Sequence, residues 1–267
     1  MTTVHDLYTY LDGLHPKALS CAWDNDGLML CGDGSKEVKR VLCALDVTER
    51  VITEAIEEGY DCIISHHPMI FKKMAAVNDS DFHGRRVIDL LSHGISVMSF
   101  HTRLDAVDGG VNDVLCDVLG LTVTGKFGCD GEEIGRMAQT DAPMNLQAFC
   151  TRVKSALGTP CLHVVSAKKP VSCVAVLGGD GKDDWEAALA AGAGTYITGT
   201  MSYNTLLDAK AAGLNVIAAG HYYTEAPVME AVAKTVSAQF DGVEAVVSEC
   251  PCEILTVWYD GIPIRKT

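Results

Sequence analysis

The chain has little positive charge, since 21 Lys and Arg residues stand against 35 Asp and Glu residues, and no long run of basic residues stands out. The resulting net charge of −14 repels a phosphate backbone, so direct binding of nucleic acid is disfavoured. A small anionic substrate remains compatible with this charge, because a bound metal ion reverses the local field.

Long hydrophobic runs are also missing. No apolar stretch approaches the ~20 residues of a membrane span, and no charged-then-apolar segment of the signal-peptide type opens the chain. Eleven cysteines are present, most of them inside apolar runs, where a reduced cysteine behaves as a small buried hydrophobic residue. We therefore expect a cytoplasmic protein in a reducing compartment, with no membrane partner.

Strand and helix signals alternate along the first half. The patterns predict strands over 38–44, 61–65 and 95–100 and helices over 83–93 and 111–119. Asp46 is predicted to cap a further helix, with Glu49 completing a capping box. Near-continuous apolar strands with short helical connections are typical of a parallel sheet covered on both faces.

A polar, glycine-containing stretch over 124–133 interrupts this pattern and provides the best internal boundary. Beyond it, two strands in succession indicate a mixed sheet before α/β alternation resumes. The predicted strands there lie at 134–138, 161–166, 171–177, 194–199, 214–219 and 252–259, and the predicted helices at 145–157, 183–191, 203–212 and 225–239. We expect an α/β protein of two lobes, 1–125 and 126–267, with mixed sheets flanked by helices. This leaves open that the C-terminal segment packs on the first lobe.

Histidine-bearing polar clusters follow three of the predicted strands. They contain His66 and His67, His101 with Asp105 four residues on, and His221 with Glu225 four residues on. Open α/β sheets build their sites at the carboxyl ends of strands, so these side chains are candidates for one site. Thr224 and Pro227 predict a helix start there, which would place Glu225 in a first turn where the helix dipole favours a carboxylate.

Four imidazoles and two carboxylates favour a metal site. Nitrogen and oxygen ligands suit Zn, Fe, Mn or Co, and six donors exceed what one closed tetrahedral ion needs but suit two metals with open positions. His66 and His67 are adjacent, so either the strand breaks at Pro68 and both face one site, or they serve two ions. The remaining histidines have simpler interpretations, as core residues for His93 and His163 and as solvated residues or local caps for His5, His15 and His83.

Several motifs together resemble those of the NGG-one-interacting-factor-three-like family, also called GTP cyclohydrolase I type two-like or dinuclear metal centre proteins. The double histidine before proline and the final His-x-x-x-Glu are specific in combination. The motifs that carry the resemblance are 23–28 (WDNDGL), 45–48 (LDVT), 64–68 (ISHHP), 101–106 (HTRLDA), 109–113 (GGVND) and 220–225.

The resemblance implies two interlinked α/β lobes with a dinuclear divalent-metal site between them, and assembly into a toroidal homohexamer. It implies His66, His67, Asp105, His221 and Glu225 as ligands, with His101 as a sixth ligand or an immediate neighbour. The chain departs from the usual pattern where Arg103 replaces Asn and adds a charge near the site, and also at Thr200 and Asn204, where an acidic residue and a histidine are common.

The function favoured by these observations is a metal-dependent hydrolase acting on a nucleotide or related small substrate, with the ions activating water. Hydrolytic opening of the GTP purine ring is the activity that the resemblance implies. Glu225 and His101 are the candidate catalytic residues, Glu225 as a carboxylate that bridges the ions and His101 as a general base if it is not a ligand. The alternatives are a metal-binding adaptor or regulatory interaction protein without catalysis, and ions with a purely structural role.

Overall fold

Two mixed β-sheets, each flanked by helices, form the framework of the molecule in this computed structural model. The structure describes residues 1–129 and 131–250 and the backbone of 257–259 and 262–264. The chain divides into two units, a first one of Met1–Val107 with Met229–Pro251 and a second one of Asp108–Val228 with Cys252–Thr267. The mixed α/β fold predicted from the sequence is confirmed.

The first unit contains a five-stranded sheet in the order β1-β4-β3-β2-β11. β2, β3 and β4 are parallel, as are β2 and β11, whereas β1 runs antiparallel to β4. The strands are β1 (Gly27–Leu30), β2 (Arg40–Ala44), β3 (Cys62–Ser65), β4 (Ser96–Ser99) and β11 (Glu244–Val247). The helices are α1 (Val4–Leu14), α2 (Glu49–Glu57), α3 (Phe82–Ser92), the short α4 (Thr102–Ala106) and α10 (Val228–Gln239), with a 3₁₀ turn at Lys17–Leu19.

Burial on both faces explains why β3 and β4 read as apolar runs. All four residues of each strand are buried, and Ile63 and Val97 lie in one cluster with Val51, Ile52 and other apolar residues. The predicted cap of the helix after β2 is wrong. Thr48 caps α2 by accepting a hydrogen bond from the Val51 amide, because the carboxylate of Asp46 is engaged by His67 instead.

The second unit contains a six-stranded sheet in the order β5-β6-β8-β9-β10-β7. β8, β9 and β10 are parallel, and the other pairings are antiparallel. The strands are β5 (Thr122–Phe127), β6 (Gly135–Met144), β7 (His163–Val165), β8 (Val171–Asp180), β9 (Thr195–Thr200) and β10 (Asn215–Ala218). The helices are α5 (Val111–Leu119), α6 (Leu146–Leu157), α7 (Trp185–Ala190), α8 (Tyr203–Ala211) and α9 (His221–Glu225).

Apolar residues cover both faces of this second sheet. Along β8, Val174 and Val176 belong to the cluster that contains Phe149 of α6, while Ala175 and Leu177 belong to another one. The side-chain alternation of a strand therefore sends successive residues to two separate cores. This explains why β8 shows no polar face in the sequence.

The unit boundary lies earlier in the chain than the sequence indicates. Residues 122–127, partly assigned to a polar connection, form β5 and pair with β6, because an edge strand with mostly exposed side chains has little hydrophobic signal. α5 belongs with β5, since Leu115 and Leu119 pack in the same core as Phe149. The first division therefore falls at 107/108 instead of 125/126.

The C-terminal part of the chain is described only in two short strands, β12 (Val257–Tyr259) and β13 (Ile262–Ile264), which form an antiparallel pair. The remainder of the predicted strand over 252–259 lies outside the described residues. Within the described part of the chain, every helix falls short of the length and apolar character that a membrane crossing requires.

Candidate metal centre

Three histidines of the first unit lie at adjacent strand ends. β3 runs directly into His66 and His67, and β4 is followed by Phe100 and His101. The two strands are parallel neighbours with Ser65 opposite Ser99, so the residues that follow them emerge at the same edge of the sheet. This register brings together side chains that lie more than thirty residues apart in the sequence.

The three imidazoles form one cluster. Ring centroids are 5.0 Å apart for His66 and His67, 5.2 Å for His66 and His101, and 5.6 Å for His67 and His101. One ligating nitrogen from each ring lies within 4.8 Å of the other two. His66 is buried, while His67 and His101 are partly exposed, so the cluster is reachable from solvent on one side. His66 and His67 therefore both face one cluster, and whether they bind one ion or two stays a prediction.

Each imidazole is held by a partner on its Nδ1 atom. His66 Nδ1 lies 3.0 Å from the Phe100 carbonyl oxygen, His67 Nδ1 lies 2.7 Å from Asp46 Oδ1, and His101 Nδ1 lies 2.9 Å from Asp24 Oδ1. Carbonyl and carboxylate oxygens only accept, so we assign the proton to Nδ1 in all three rings. A neutral imidazole in this tautomer carries its lone pair on Nε2, which is the arrangement typical of metal-ligating histidines. The donor set therefore fits a divalent ion.

Asp105 adds a carboxylate to this group. It lies in α4, the helix that begins immediately after His101. Its Oδ1 atom is 3.8 Å from His66 Nε2. Two ligands of one ion are each about 2.0–2.2 Å from it, so their atoms stand a few ångströms apart. Asp105 is buried, and a buried carboxylate needs a cation or hydrogen-bond donors. The first unit thus brings together four of the six predicted ligands.

The other two predicted ligands lie together in the second unit. His221 and Glu225 occupy the first and last positions of α9, and His221 Nε2 lies 2.9 Å from Glu225 Oε2. The Glu225 side chain is only 5% exposed, whereas that of His221 is 40% exposed. The predicted helix start at Thr224 is wrong, because Gly220 precedes the helix and the Thr224 hydroxyl donates back to carbonyls of the same turn. Glu225 is therefore at a helix end, and the dipole argument for its charge does not hold.

Glycines at the ends of β8 and β9 allow Glu225 to lie close to the backbone. A Cβ atom on Gly179 would lie 2.2 Å from Glu225 Oε1, and one on Gly199 would lie 2.7 Å from the His221 Cα. Thr224 Oγ1 accepts a hydrogen bond from the Gly179 amide at 3.1 Å, which fixes this approach. The glycines at 178–179 therefore lie directly against the Glu225 side chain.

The loop before β1 supports His101 from behind. Asp24 accepts hydrogen bonds from His101 Nδ1, from the Thr102 amide at 3.1 Å and from the Thr102 hydroxyl at 2.6 Å. Burial acts to raise the pKa of Asp24, but the hydrogen bonds from His101 and Thr102 outweigh it and lower that pKa well below its usual range. Asp24 thus stays ionised and holds the ring.

The charge of Arg103 is compensated within the first unit. Its guanidinium donates to Asp26 at 2.9 Å, to Asp12 at 2.6 Å and to the His15 carbonyl at 2.8 Å, and it lies over the Phe100 ring. The side chain is fully buried. The expected extra charge beside the site is therefore matched by two carboxylates, which makes Arg103 part of the support beneath His101.

Sequence reasoning missed the two aspartates that hold His67 and His101. The sequence predicts Asp46 as a helix cap and gives Asp24 only as part of the 23–28 motif, because a pairing across 21 or 77 residues leaves no local pattern. Among the other histidines, His93 and His163 are exposed and not core residues, whereas His15 is partly buried against the edge of Phe100. The departures at Thr200 and Asn204 lie at the exposed end of β9 and on an exposed position of α8.

A family model and named relatives both match this chain over most of its length. The model of Duf34/NIF3 (NGG1p interacting factor 3) matches residues 2–252. A protein of Clostridium perfringens named GTP cyclohydrolase 1 type 2 homolog is 34% identical over 92% of this chain and 96% of its own length. A Streptococcus pneumoniae protein of the same name is 36% identical over 78% of this chain and 80% of its own.

Solved structures show the same fold. A crystal structure of a Staphylococcus aureus hypothetical protein has a TM-score of 0.87 and 29% identity, covering 96% of this chain and 99% of that one. A Bacillus cereus protein described as related to NIF3 has a TM-score of 0.84 at 23% identity, with 97% and 99% of the two chains covered, which supports the fold alone.

Proposed function

The chain belongs to the Duf34/NIF3 (NGG1p interacting factor 3) family, and from this membership and the imidazole cluster we propose that it is a divalent-metal-dependent hydrolase. The single observation that carries the proposal is the geometry of His66, His67 and His101. Three rings whose Nδ1 atoms meet acceptors and whose ligating nitrogens lie within 4.8 Å of one another constitute a prepared ligand set.

We propose two divalent ions per chain, which is the dinuclear centre that the family resemblance implies. The ligands are His66, His67, His101, Asp105, His221 and Glu225. With nitrogen and oxygen donors and no thiolate, the set suits Zn, Fe, Mn or Co. Ions bound in this way supply Lewis acidity and lower the pKa of water, which is the chemistry of metal-dependent hydrolysis.

The protein residues have separate tasks. His66 and Asp105 are buried and fix the inner side of the centre, while the partly exposed His67 and His101 face the side from which a substrate enters. Asp24 and Asp46 keep their histidines in the required tautomer. The Asp24–His101 pair also has the arrangement of an oriented general base, so His101 would accept a proton only where its Nε2 is not bound to an ion, and Glu225 would be the carboxylate that the ions share.

We propose a nucleotide or a related small molecule as substrate. The relatives from Clostridium perfringens and Streptococcus pneumoniae carry the name GTP cyclohydrolase 1 type 2 homolog, which supports this class. On a chain of net charge −14, a bound cation is the means of attracting such an anion. We also propose that the chain assembles into a homohexamer and that it is located in the cytoplasm.

A second candidate function is supported by the family description itself, which names an interacting factor. In that case the same ions would stabilise a surface for a protein partner, and the chain would act as a metal-binding adaptor without catalysis. The two functions make opposite predictions for turnover by the metal-loaded protein.

Elemental analysis of the purified protein tests the metal centre. We expect about two transition-metal equivalents per chain, as in two-metal hydrolytic sites. Glu225→Ala should lose most of this metal, because it removes a nearly buried carboxylate ligand. Glu230→Ala, which changes an exposed glutamate of α10, serves as the matched control and should keep the wild-type content. Full occupancy in Glu225→Ala would contradict the assignment of this ligand.

Turnover separates the hydrolase from the adaptor. The metal-loaded protein should hydrolyse at least one member of a panel of nucleotides, cyclic amides and phosphoesters. Chelation should abolish this activity, and re-addition of the metal should restore it. A fully loaded protein that is silent across the panel would reject the hydrolase and favour the adaptor.

A further inference from the structure

Two large aromatic side chains remain exposed beside the imidazole cluster. Trp23 is 61% exposed and Phe71 is 48% exposed, although both belong to the well-packed first unit. Their ring centroids lie 5.9 Å and 6.1 Å from that of His101, and 6.2 Å from each other. Exposed aromatic surface adjoining a cluster of ligating groups indicates a binding surface.

The two rings are held in place from below. The Asn25 side-chain amide donates to the Ile70 carbonyl, which ties the loop of Trp23 to the loop of Phe71. Asp24, between Trp23 and Asn25, is anchored on His101 and Thr102. The hydrogen bonds of Asp24 and Asn25 therefore fix the loops that carry Trp23 and Phe71. The two rings stay exposed instead of packing onto the core.

The exposed surface of Trp23 and Phe71 is available for contact with a third ring. Trp23 and Phe71 meet at an interplanar angle of 67°, so they line two sides of a corner and do not stack on each other. Phe71 stands at 87° to the His101 ring, which places an imidazole edge at the same corner. A planar heterocycle that stacks on one aromatic face would therefore lie next to the proposed metal ligands.

Two lysines add positive charge in the chain segment that follows Phe71. Lys72 and Lys73 directly follow Phe71 and are exposed, in a chain whose overall charge is strongly negative. The nearby carboxylates of Asp24 and Asp46 are engaged by His101 and His67. An aromatic corner followed directly in the chain by two exposed lysines is complementary to a planar ring that carries an anionic group.

We propose that Trp23 and Phe71 form a stacking subsite for the heterocyclic ring of a nucleotide, with Lys72 and Lys73 attracting its phosphate. This subsite deepens the proposed hydrolase function and rests on it for the identity of the substrate class. It makes the two aromatic residues determinants of specificity, because they favour substrates with a planar ring over phosphoesters that lack one.

Calorimetric titration of the zinc-loaded protein with two probes tests the subsite. GMP carries a base, whereas ribose 5-phosphate carries the same sugar and phosphate without a ring. We expect the wild type to bind GMP more tightly than ribose 5-phosphate. Trp23→Leu and Phe71→Leu should each weaken GMP binding by about tenfold and leave ribose 5-phosphate unchanged, since stacking contributes only for the base.

Three further variants sharpen the test. Trp23→Phe keeps an aromatic face and should retain most of the GMP affinity. Phe82→Leu removes an exposed phenylalanine of the same unit that contacts His83 and Arg86, and should leave both probes unaffected. A Lys72→Ala/Lys73→Ala double variant should weaken GMP and ribose 5-phosphate by similar factors.

Three results would overturn the subsite. They are a wild type that does not bind GMP, leucine variants that bind GMP as the wild type does, and leucine variants that change only the sedimentation coefficient. The last result would mean that the aromatic pair lies between copies of the chain. Failure of the hydrolase proposal can be distinguished from failure of the subsite. It would appear as absent metal or absent turnover, while the protein still preferred GMP and lost that preference in Trp23→Leu.

Discussion

At the scale of single residues, the cluster depends on partners that the sequence does not reveal. The histidines and acids of the candidate site could be predicted, because they follow apolar strands and repeat a four-residue spacing. Their supports could not, since Asp24 and Asp46 reach His101 and His67 from elsewhere in the fold. A carboxylate behind a metal-binding imidazole fixes its orientation, and loss of such a partner typically costs about 10- to 100-fold in metal affinity.

Replacement of Asp24 should therefore weaken metal binding without removing a ligand. In Asp24→Asn we expect zinc affinity to fall about 10- to 100-fold, because the amide no longer provides a charged acceptor for His101. Competition with a chromophoric chelator measures this affinity. Asp79→Asn, at an exposed aspartate of the same unit, is the control and should bind zinc like the wild type. Equal affinities in the two variants would contradict the role of Asp24.

His15 should make stability dependent on pH. Burial and the nearby Arg103 charge lower the pKa of His15 from 6.5 to about 4, so the unfolded chain takes up the proton first as the pH falls. Stability contributed by neutral His15 is complete above pH 6.5 and is lost between about pH 6.5 and 4, by ~2–3 kcal/mol at most.

Urea unfolding of chelator-treated protein measures this dependence. The variant His15→Phe keeps a ring against Phe100 but cannot titrate, so its free energy of unfolding should fall less over this pH interval. Parallel pH profiles for the wild type and His15→Phe would show that His15 is not buried in its neutral form.

At the scale of elements, helices and strands with strong hydrophobic periodicity could be predicted from the sequence. Elements with weak amphipathic patterns could not. The helices predicted over 111–119 and 145–157 are α5 and α6, and Asn145 caps α6. β5 was missed because its side chains are mostly exposed on an edge strand. The helix predicted over 225–239 is α10, which begins at Val228, and the short α9 before it was not predicted.

The contact of α9 with the glycine ends of β8 and β9 gives a prediction at this scale. Gly179→Ala should displace Glu225 and lower the metal content, because the added methyl group would lie 2.2 Å from a carboxylate oxygen. Gly192→Ala is the matched control, since Gly192 also has positive φ but nothing lies within 4 Å of its Cβ position. Both variants should lose about 1–2 kcal/mol of stability from the left-handed backbone. Only Gly179→Ala should lose metal. Equal metal content in the two variants would contradict the link between Gly179 and the position of Glu225.

At the scale of the whole molecule, the sequence indicated two α/β units but placed their boundary wrongly. The ligand types and their positions at strand ends were predictable, because parallel strands converge on one edge. The assignment of α5 and β5 was not, since it depends on which core Leu115 and Leu119 join. The return of residues 229–250 to the first sheet through β11 likewise depends on strand pairing at long range.

Metal binding should stabilise the whole molecule if the ligands are prepared in the native fold only. Zinc at 100 times its dissociation constant adds about 2.7 kcal/mol, which corresponds to a melting temperature several degrees higher. Differential scanning calorimetry with and without chelator measures the shift. His67→Ala should reduce it, whereas His93→Ala, at an exposed histidine outside the cluster, should not. A shift of the same size in both variants would locate the stabilising ions elsewhere.

The buried guanidinium of Arg103 has a consequence for how this chain tolerates change. Asn, the residue that the family resemblance implies at this position, would here remove the cation that Asp12 and Asp26 share and uncover the face of Phe100. Arg103→Asn would therefore be damaging here unless the acids changed with it. The three residues form an interdependent set, and homologous exchange at one of them succeeds only as a joint replacement.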